Sequence, residues 1–453
     1  HGISHRSYPR KITEFFSQRG GLNLSRLNGI HVRHNKNTEN AETKQFPLPK
    51  RLTVLMSQAM GVPCTPTVKK GDEVKLGQVI GNTDAFMAAP IHSPASGTVA
   101  ETADYLLPSG ARCKAVVIDT DGEQTVSEEV KPPVIGTREE FLAAVRASGC
   151  VGLGGAGFPT HVKFAFDPKK TPIDTLVING AECEPYITAD YREFVENGED
   201  VINGILTVMG KLDIPMCKIG IEENKPEAIR LMTEAASKHK GIEVVTLPSS
   251  YPQGAEKVLI HSCTGRIVAE GELPSNQGVV VMNVSTAGFL SRYFRTGMPL
   301  VTKRLTIDGN AVTKNQGNYF VPIGTKVSEL LEYCGAEDPE KVLYGGPMMG
   351  MALYDTEQVI TKTNNAVLAF VNVKEPVTTS CIRCGRCVRA CPLNLMPTLL
   401  EQAYDSRDVS ELQRLKVILC MNCGCCTYVC PAHRHLAEKN QLAKALLPRP
   451  AKK

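Results

Sequence analysis

The chain has 453 residues, 42% hydrophobic and 22% charged, enough for several domains with sizeable cores. A formal net charge of +4 is small for this length and argues for no nucleic-acid partner. The longest apolar runs, such as GVVVMNV and AVLAFVNV, fall far short of the ~18 residues that span a bilayer. The chain is therefore expected to be soluble or to reach a membrane through a partner.

Residues 1–45 form an N-terminal segment that starts polar and basic without an apolar h-region, so no signal peptide is expected. Residues 46–130 carry PTVKKGDEVKLGQVIG and PIHSPASGTVAE. These phrases resemble a biotinyl or lipoyl domain, a flattened barrel of short strands (a barrel-sandwich hybrid). A carrier needs a lysine on the exposed hairpin. GNTDAFMAAPIH has none, which favours a scaffold over a swinging arm.

Residues 135–299 read as an α/β domain. REEFLAAVRASG is apolar at helical spacing and leads into GLGGAGFPTHVKF. Gly152, Gly154 and Gly157 satisfy G-x-G-x-x-G, but that fingerprint belongs after a strand, so the Rossmann context is wrong. A plain tight turn is the alternative. What the segment does offer is close-approach backbone, free N–H groups and Lys163, all suited to a phosphate. DTLVIN then reads as a buried strand ending at Asn179, followed by an acidic loop with Glu182 and Glu184. Carboxylates beside a phosphate are repulsive unless they address ribose hydroxyls or an amide; a solvated turn with a helix cap is the other reading. Residues 300–372 alternate strand patterns with one helix, and GGPMMG within them reads as a tight loop rather than a lid.

Nine of the sixteen cysteines fall between Cys381 and Cys430. The seven others are scattered; six of them read as small buried hydrophobes. Cys183 sits between Glu182 and Glu184, whose charge would raise its pKa and disfavour a nucleophile. CIRCGRCVRACP and CMNCGCCTYVCP both follow C-x2-C-x2-C-x3-C-P, the run of two-cluster bacterial ferredoxins, in which each fourth cysteine ligates the other cluster. One [4Fe-4S] cluster is assigned to Cys420, Cys423, Cys426 and Cys391, the other to Cys381, Cys384, Cys387 and Cys430; Cys425 is spare. Zinc would leave the third cysteine and the proline of each run unexplained. LNLMPTLLEQAYDSRDVSELQRLKVIL between the runs reads as two helices broken at DSRD. Residues 373–453 are thus a helical variant of the ferredoxin fold.

GGAGFPTHVK, NGAECEP, YPQGAEKVLI and GVVVMNVSTA resemble, in that order, the flavoprotein subunit of respiratory complex I, and most closely the C subunit of the Rnf complex. The resemblance implies a multidomain α/β and α+β protein: barrel-sandwich hybrid, non-Rossmann FMN/NADH domain, β-grasp domain at 300–372, and two-cluster ferredoxin domain. It implies non-covalent FMN, with Gly154, Gly155, Gly157 and Lys163 at the phosphate and ribityl chain, and Asn179, Glu182 and Asn283 at the flavin. Phe158 and Phe166 would flank NAD(H), with Glu184 the catalytic candidate near the nicotinamide. Complex I has an arginine where this chain has Leu153 and an aspartate where it has Ala181, and its flavoprotein ends in one cluster motif rather than two.

The resemblance implies an electron-transferring subunit of an Rnf-type ferredoxin:NAD+ oxidoreductase coupled to Na+ or H+ transport. The protein would be peripheral on the cytoplasmic face of the membrane, with partners that include a ferredoxin-like iron–sulfur subunit. Arg383, Arg386, Arg389 and the KK-ending tail offer a basic surface for such a partner. A stand-alone reductase, such as the cobalamin reductase of microcompartments, resembles the chain from the glycine loop onward. About 130 residues precede that loop here, which disfavours it. A non-catalytic carrier or adaptor is disfavoured by the missing carrier lysine and the eight spaced cysteines.

Overall fold

The computed structural model describes residues 29–448. The first 28 residues of the N-terminal segment and the end of the basic tail lie outside them. Among the described residues no helix is long and apolar enough to cross a membrane.

Seven strands build the barrel. β2 (Arg51–Leu55), β4 (Glu73–Val74), β7 (Gly97–Leu106) and β8 (Arg112–Thr120) form one antiparallel sheet in the order β2-β8-β7-β4. β3 (Thr65–Pro66), β5 (Val79–Asn82) and β6 (Ile91–His92) form a second. Val54, Ile80, Ile91, Val99, Val116 and Ile118 fill the core. The connection at residues 83–90, where a carrier would present its lysine, joins β5 to β6.

The next sheet is wholly parallel. Its order is β11 (Ile242–Leu247), β10 (Met216–Glu222), β9 (Thr175–Gly180), β12 (Val279–Asn283). Strand periodicity divides its residues between two cores. Leu176, Ile178, Val280 and Met282 face the helices Ala189–Leu212 and Val284–Thr296, while Val177, Val279 and Val281 face the helix Glu256–Thr264. A sheet buried on both faces explains the near-continuous apolar reading of DTLVIN and GVVVMN. The helix Arg138–Ala147 precedes the glycine loop, as its periodicity indicates.

β13 (Thr302–Asp308) and β14 (Gly317–Pro322) form a hairpin; β13 is also parallel to β17 (Ala366–Phe370), which pairs with β15 (Lys341–Tyr344). With the helix Val327–Tyr333 across it, this is a β-grasp sheet, extended by β16 (Met351–Ala352) and by β1 (Lys44–Gln45) from the N-terminal strap. The cysteine-rich end is helical. The helix Pro397–Asp405 stops at the DSRD break, and Asp408 caps the next, Val409–Arg414, by accepting from Glu411 N at 3.0 Å. Leu400, Leu412, Val417 and Ala443 form its core.

One buried cation joins three of these units. Lys362 Nζ donates to Pro90 O of the barrel and Gly149 O of the parallel-sheet unit, each at 2.7 Å. Burial lowers its pKa to about 8. Lys362→Ala leaves two buried carbonyls without a donor and opens a cavity, which should cost about 2–4 kcal/mol and lower the thermal midpoint of unfolding. The unfolded lysine (10.5) binds more protons than the folded one (about 8) between those values, so this group makes native stability rise there with pH. The deficit of the variant should widen over that window in a pH series of melts.

Candidate functional site

The carboxyl ends of β9, β11 and β12 lie together, and the loops leaving them carry the candidate residues. This is where open parallel sheets bind ligands. Residues 181–187 leave β9 as the acidic loop, Tyr251–Glu256 follow β11, and Asn283 ends β12 and caps the helix Val284–Thr296 by accepting from Ser285 N at 2.9 Å.

The glycine loop lies against this edge. Its middle, Gly154 to Ala156, is exposed. A Cβ on Gly154 would lie 3.2 Å from Asn283 Nδ2. Gly155 has φ +113°, which side chains rarely adopt, and Gly157, at φ +64°, has room for no Cβ because Thr363 Cγ2 would be 2.7 Å away. Lys163 pairs with Glu256 at 3.0 Å and lies 5.9 Å from the centre of the Phe158 ring. An exposed pair of this kind contributes ~0–1 kcal/mol, so the ammonium is available to a phosphate. Phe166 stands apart from these groups: the Arg138 guanidinium covers its ring at 4.5 Å and donates to the carbonyls of Phe164 and Phe166.

Three side chains expected at the flavin have partners within the chain. Asn179 donates to Gly254 O (2.8 Å) and accepts from Ala181 N (3.2 Å). Asn283 donates to Asp190 Oδ2 at 2.7 Å. Glu182 accepts from Asp190 N and Tyr191 N at 2.6 and 3.2 Å, placing its charge at the positive end of the helix Ala189–Leu212. Burial still raises its pKa to about 7. Buried polar groups take whatever partner the fold supplies, and here the partners are the segment after β11 and the first turn of the helix Ala189–Leu212. Leu153 and Ala181 are both buried.

Glu184 reaches out of the parallel-sheet unit. Its carboxylate accepts from Met348 N (3.1 Å) and Met349 N (2.8 Å) in GGPMMG, and burial raises its pKa to about 7. GGPMMG is therefore a tight loop wedged on the acidic loop. Residues the sequence reading did not single out hold this region. Lys36 Nζ donates to the carbonyls of Glu182, Glu184 and Ile187 at 2.8, 2.9 and 2.6 Å, and Lys225 Nζ to Ala181 O at 2.6 Å. Tyr251, 1% exposed, lies among Cys183, Cys423, Cys425 and Met348. Only YPQGAEKVLI marked its neighbourhood. Nothing in the sequence marked Lys36. The Cys183 thiol is pushed up to about 12, chiefly by burial, and the six other scattered cysteines are buried.

The cysteine groups cross between motifs. Burial raises the Cys391 thiol, and its thiol neighbours are Cys423 and Cys420, from the second motif. Burial pushes Cys426 up to about 12, with Cys420, Cys423 and Cys391 around it. Cys387 is raised by burial and neighbours Cys430 and Cys381. The backbone repeats as well: Arg383 and Asn422, Gly385 and Gly424, and Asn394 and His433 all have positive φ at matching places in the two motifs. Neighbouring thiols on a repeated backbone suit a cubane cluster, and the glycine loop with Lys163 suits a flavin phosphate. Cys425 is 1% exposed and turns its Sγ to Tyr251 O at 3.8 Å.

Three stretches of the chain match known families. Residues 25–123 match the RnfC barrel sandwich hybrid domain, 145–291 the Nuo51 FMN-binding domain, and 375–431 a 4Fe-4S dicluster domain. The chain is 42% identical to the C subunit of the proton-translocating ferredoxin:NAD(+) oxidoreductase complex of Clostridium ljungdahlii, over 82% of each protein. It is 39% identical to the C subunit of the Na(+)-translocating complex of Acetobacterium woodii, over 84% of this chain and 87% of the relative. It is 36% identical to the C subunit of the ion-translocating oxidoreductase complex of Rhodobacter capsulatus, over 92% and 82%. The strained backbone at Gly155 makes a specific test. Gly155→Val should reduce bound FMN to less than about a tenth, because a β-branched residue is strained at φ +113° and the loop must leave that conformation. Iron content should stay at the parent level, measured on the same sample.

Proposed function

The chain belongs to the RnfC family, the C subunits of ion-translocating ferredoxin:NAD+ oxidoreductase complexes, and from that premise we propose its function. It is the NADH- and FMN-binding, electron-transferring subunit of such a membrane complex, which passes electrons between ferredoxin and NAD+ with coupled Na+ or H+ translocation. FMN, when bound, exchanges hydride with NAD(H) and single electrons with iron–sulfur clusters.

The observation that carries the reading is the contact between the second cysteine motif and the acidic loop. Tyr251, Cys183 and Met348 pack with Cys423 and Cys425 in one buried cluster. The set Cys391, Cys420, Cys423 and Cys426 is accordingly the inner one, beside the flavin site. The set Cys381, Cys384, Cys387 and Cys430 is the outer one, and Cys381 and Cys384 are exposed. The eight thiolates hold two [4Fe-4S] clusters. Gly154, Gly155, Gly157 and Lys163 hold the FMN phosphate and ribityl chain, and Asn179, Glu182 and Asn283 shape the flavin pocket through the loops they pin. Glu184 and Phe158 address the nicotinamide dinucleotide; Phe166, covered by Arg138, is the weakest member of the set. The protein sits peripherally on the cytoplasmic face and is held there by other subunits, with Arg383, Arg386 and Arg389 around the outer cysteines facing an acidic iron–sulfur partner.

Anaerobically prepared protein should hold about eight irons and eight acid-labile sulfides per chain. Cys391→Ala should remove the cluster of Cys420, Cys423 and Cys426, leaving about four irons, and Cys425→Ser should keep both. Loss of a cluster in Cys425→Ser but not in Cys426→Ser would sink the ligand assignment.

Attachment through partners is salt-dependent when charge contributes to it. In native membranes the protein should therefore sediment with the membrane fraction and leave it on high-salt or alkaline washing without detergent. Retention through both washes, or absence from the membrane fraction altogether, would count against a peripheral location.

A further inference from the structure

We propose that the cleft between the helix Val284–Thr296 and β13 binds a small organic monocarboxylate, with its carboxylate on the Lys303 ammonium and its apolar body against Phe289, Met298 and Leu300. The site is separate from those already described, because none of the residues assigned to FMN or NAD(H) lines the cleft.

Lys303 stands near the start of β13, where the chain passes from the parallel-sheet unit into the β-grasp sheet. It is 2% exposed and lines the cleft together with Arg292, Arg295, Arg304 and Glu193. Each guanidinium has a carboxylate. Arg292 pairs with Glu193 at 2.7 Å, Arg304 with Glu193 and Glu196 at 3.1 and 3.2 Å, and Arg295 with Asp200 at 2.7 Å. Lys303 differs: among the described residues its Nζ has neither a hydrogen bond nor an ion pair. Asp190 attracts it most strongly, yet the Asp190 oxygens accept from Asn283 Nδ2 and Ser285 Oγ at 2.7 and 2.6 Å. Glu182 also acts on it, but that carboxylate is turned to the N–H groups of Asp190 and Tyr191. Burial lowers the Lys303 pKa to about 8, which leaves it mostly an ammonium at pH 7. A buried cation without a counter-ion is costly, and an anion in the cleft would relieve that cost.

The walls decide which anion fits. The cleft holds about 230 Å³, less than the ~300–1,000 Å³ of sites for drug-sized ligands, so its ligand is small. One unpaired ammonium calls for one negative charge, and Glu193 on the same wall repels a second. Leu153, Phe289, Met298, Pro299 and Leu300 line much of the remainder, which suits an apolar body better than a bare ion. Arg295 and Thr296 are exposed and give the cleft its mouth.

The test titrates the full chain, carrying its clusters and FMN, with benzoate in a low-chloride buffer and reads binding by calorimetry. Benzamide, the uncharged isostere, and inorganic phosphate are the controls. One benzoate per chain should bind, at least about tenfold tighter than either control, the scale of one charge-assisted hydrogen bond. Lys303→Met keeps the length of the side chain and removes its charge. It should weaken benzoate by the same factor while iron content stays at the parent level. Crystals of the parent chain grown with 4-iodobenzoate should show anomalous iodine density in the cleft, which tests the position even where the variant does not fold. Absence of benzoate binding, equally tight benzamide or phosphate, or unchanged affinity in a folded Lys303→Met each overturns the proposal. Iodine density confined to the outer surface or to the flavin pocket overturns it as well.

Discussion

Two buried ammonium groups make the acidic loop possible. Residues 181–187 carry two carboxylates, a thiol and a series of carbonyls into a half-buried corner, where each unpaired group is costly. Lys36 takes three of the carbonyls and Lys225 a fourth. Burial lowers the Lys36 pKa to about 8, and the largest opposing influence is the Glu182 carboxylate. The cation and the carboxylate are thus tolerated together. With its carbonyls satisfied from behind, the loop can direct Glu182 to one helix and Glu184 to GGPMMG.

Lys36 arrives from the N-terminal strap, which ties several units at once. Ile30 exchanges both backbone hydrogen bonds with Tyr251, at 2.9 and 2.8 Å, Tyr186 N donates to His34 O, and Thr38 meets Thr188. Asn318 of β14 donates to Thr38 O, and β1 then adds to the β-grasp sheet alongside β14. A segment with little secondary structure of its own therefore fixes how the β-grasp unit sits on the parallel sheet. Since GGPMMG belongs to the first and the acidic loop to the second, the Glu184 contacts depend on that strap.

Features with a short period were legible in the sequence. The cysteine spacings set the thiols on a repeated turn-and-helix backbone, the apolar run of DTLVIN marked a buried strand, and DSRD broke a helix where Asp408 caps the next. Partner choice over long separations was not legible. Lys36 lies 146 residues from Glu182, Lys163 is met by Glu256, and the Asn179 and Asn283 amides go to Gly254 in a neighbouring loop and to Asp190 at a helix start. Such pairings follow from which loops leave the same edge of a sheet, and strand order is not written in local periodicity. The G-x-G-x-x-G match shows the same limit from the other side: its spacing is local, but its meaning depends on the preceding element, which reads as a helix and is one.

The same edge explains why the units are arranged as they are. Parallel strands deliver all their following loops to one side, and three neighbours close on that side: the barrel at Gly157, GGPMMG at Glu184, and the second cysteine motif at Tyr251. Together they exclude water from the carboxyl ends of the sheet, and burial is what raises Glu182, Glu184 and Cys183 and lowers Lys36. Electrostatic influence between neighbouring groups strengthens as water is withdrawn. A thiolate set placed against Tyr251 is therefore coupled to the acidic loop more strongly than one at the surface, while the exposed Cys381 and Cys384 remain responsive to whatever docks from outside. The asymmetry between an inner and an outer cysteine set follows from how the sheet edge is covered, because the two motifs themselves have nearly the same backbone.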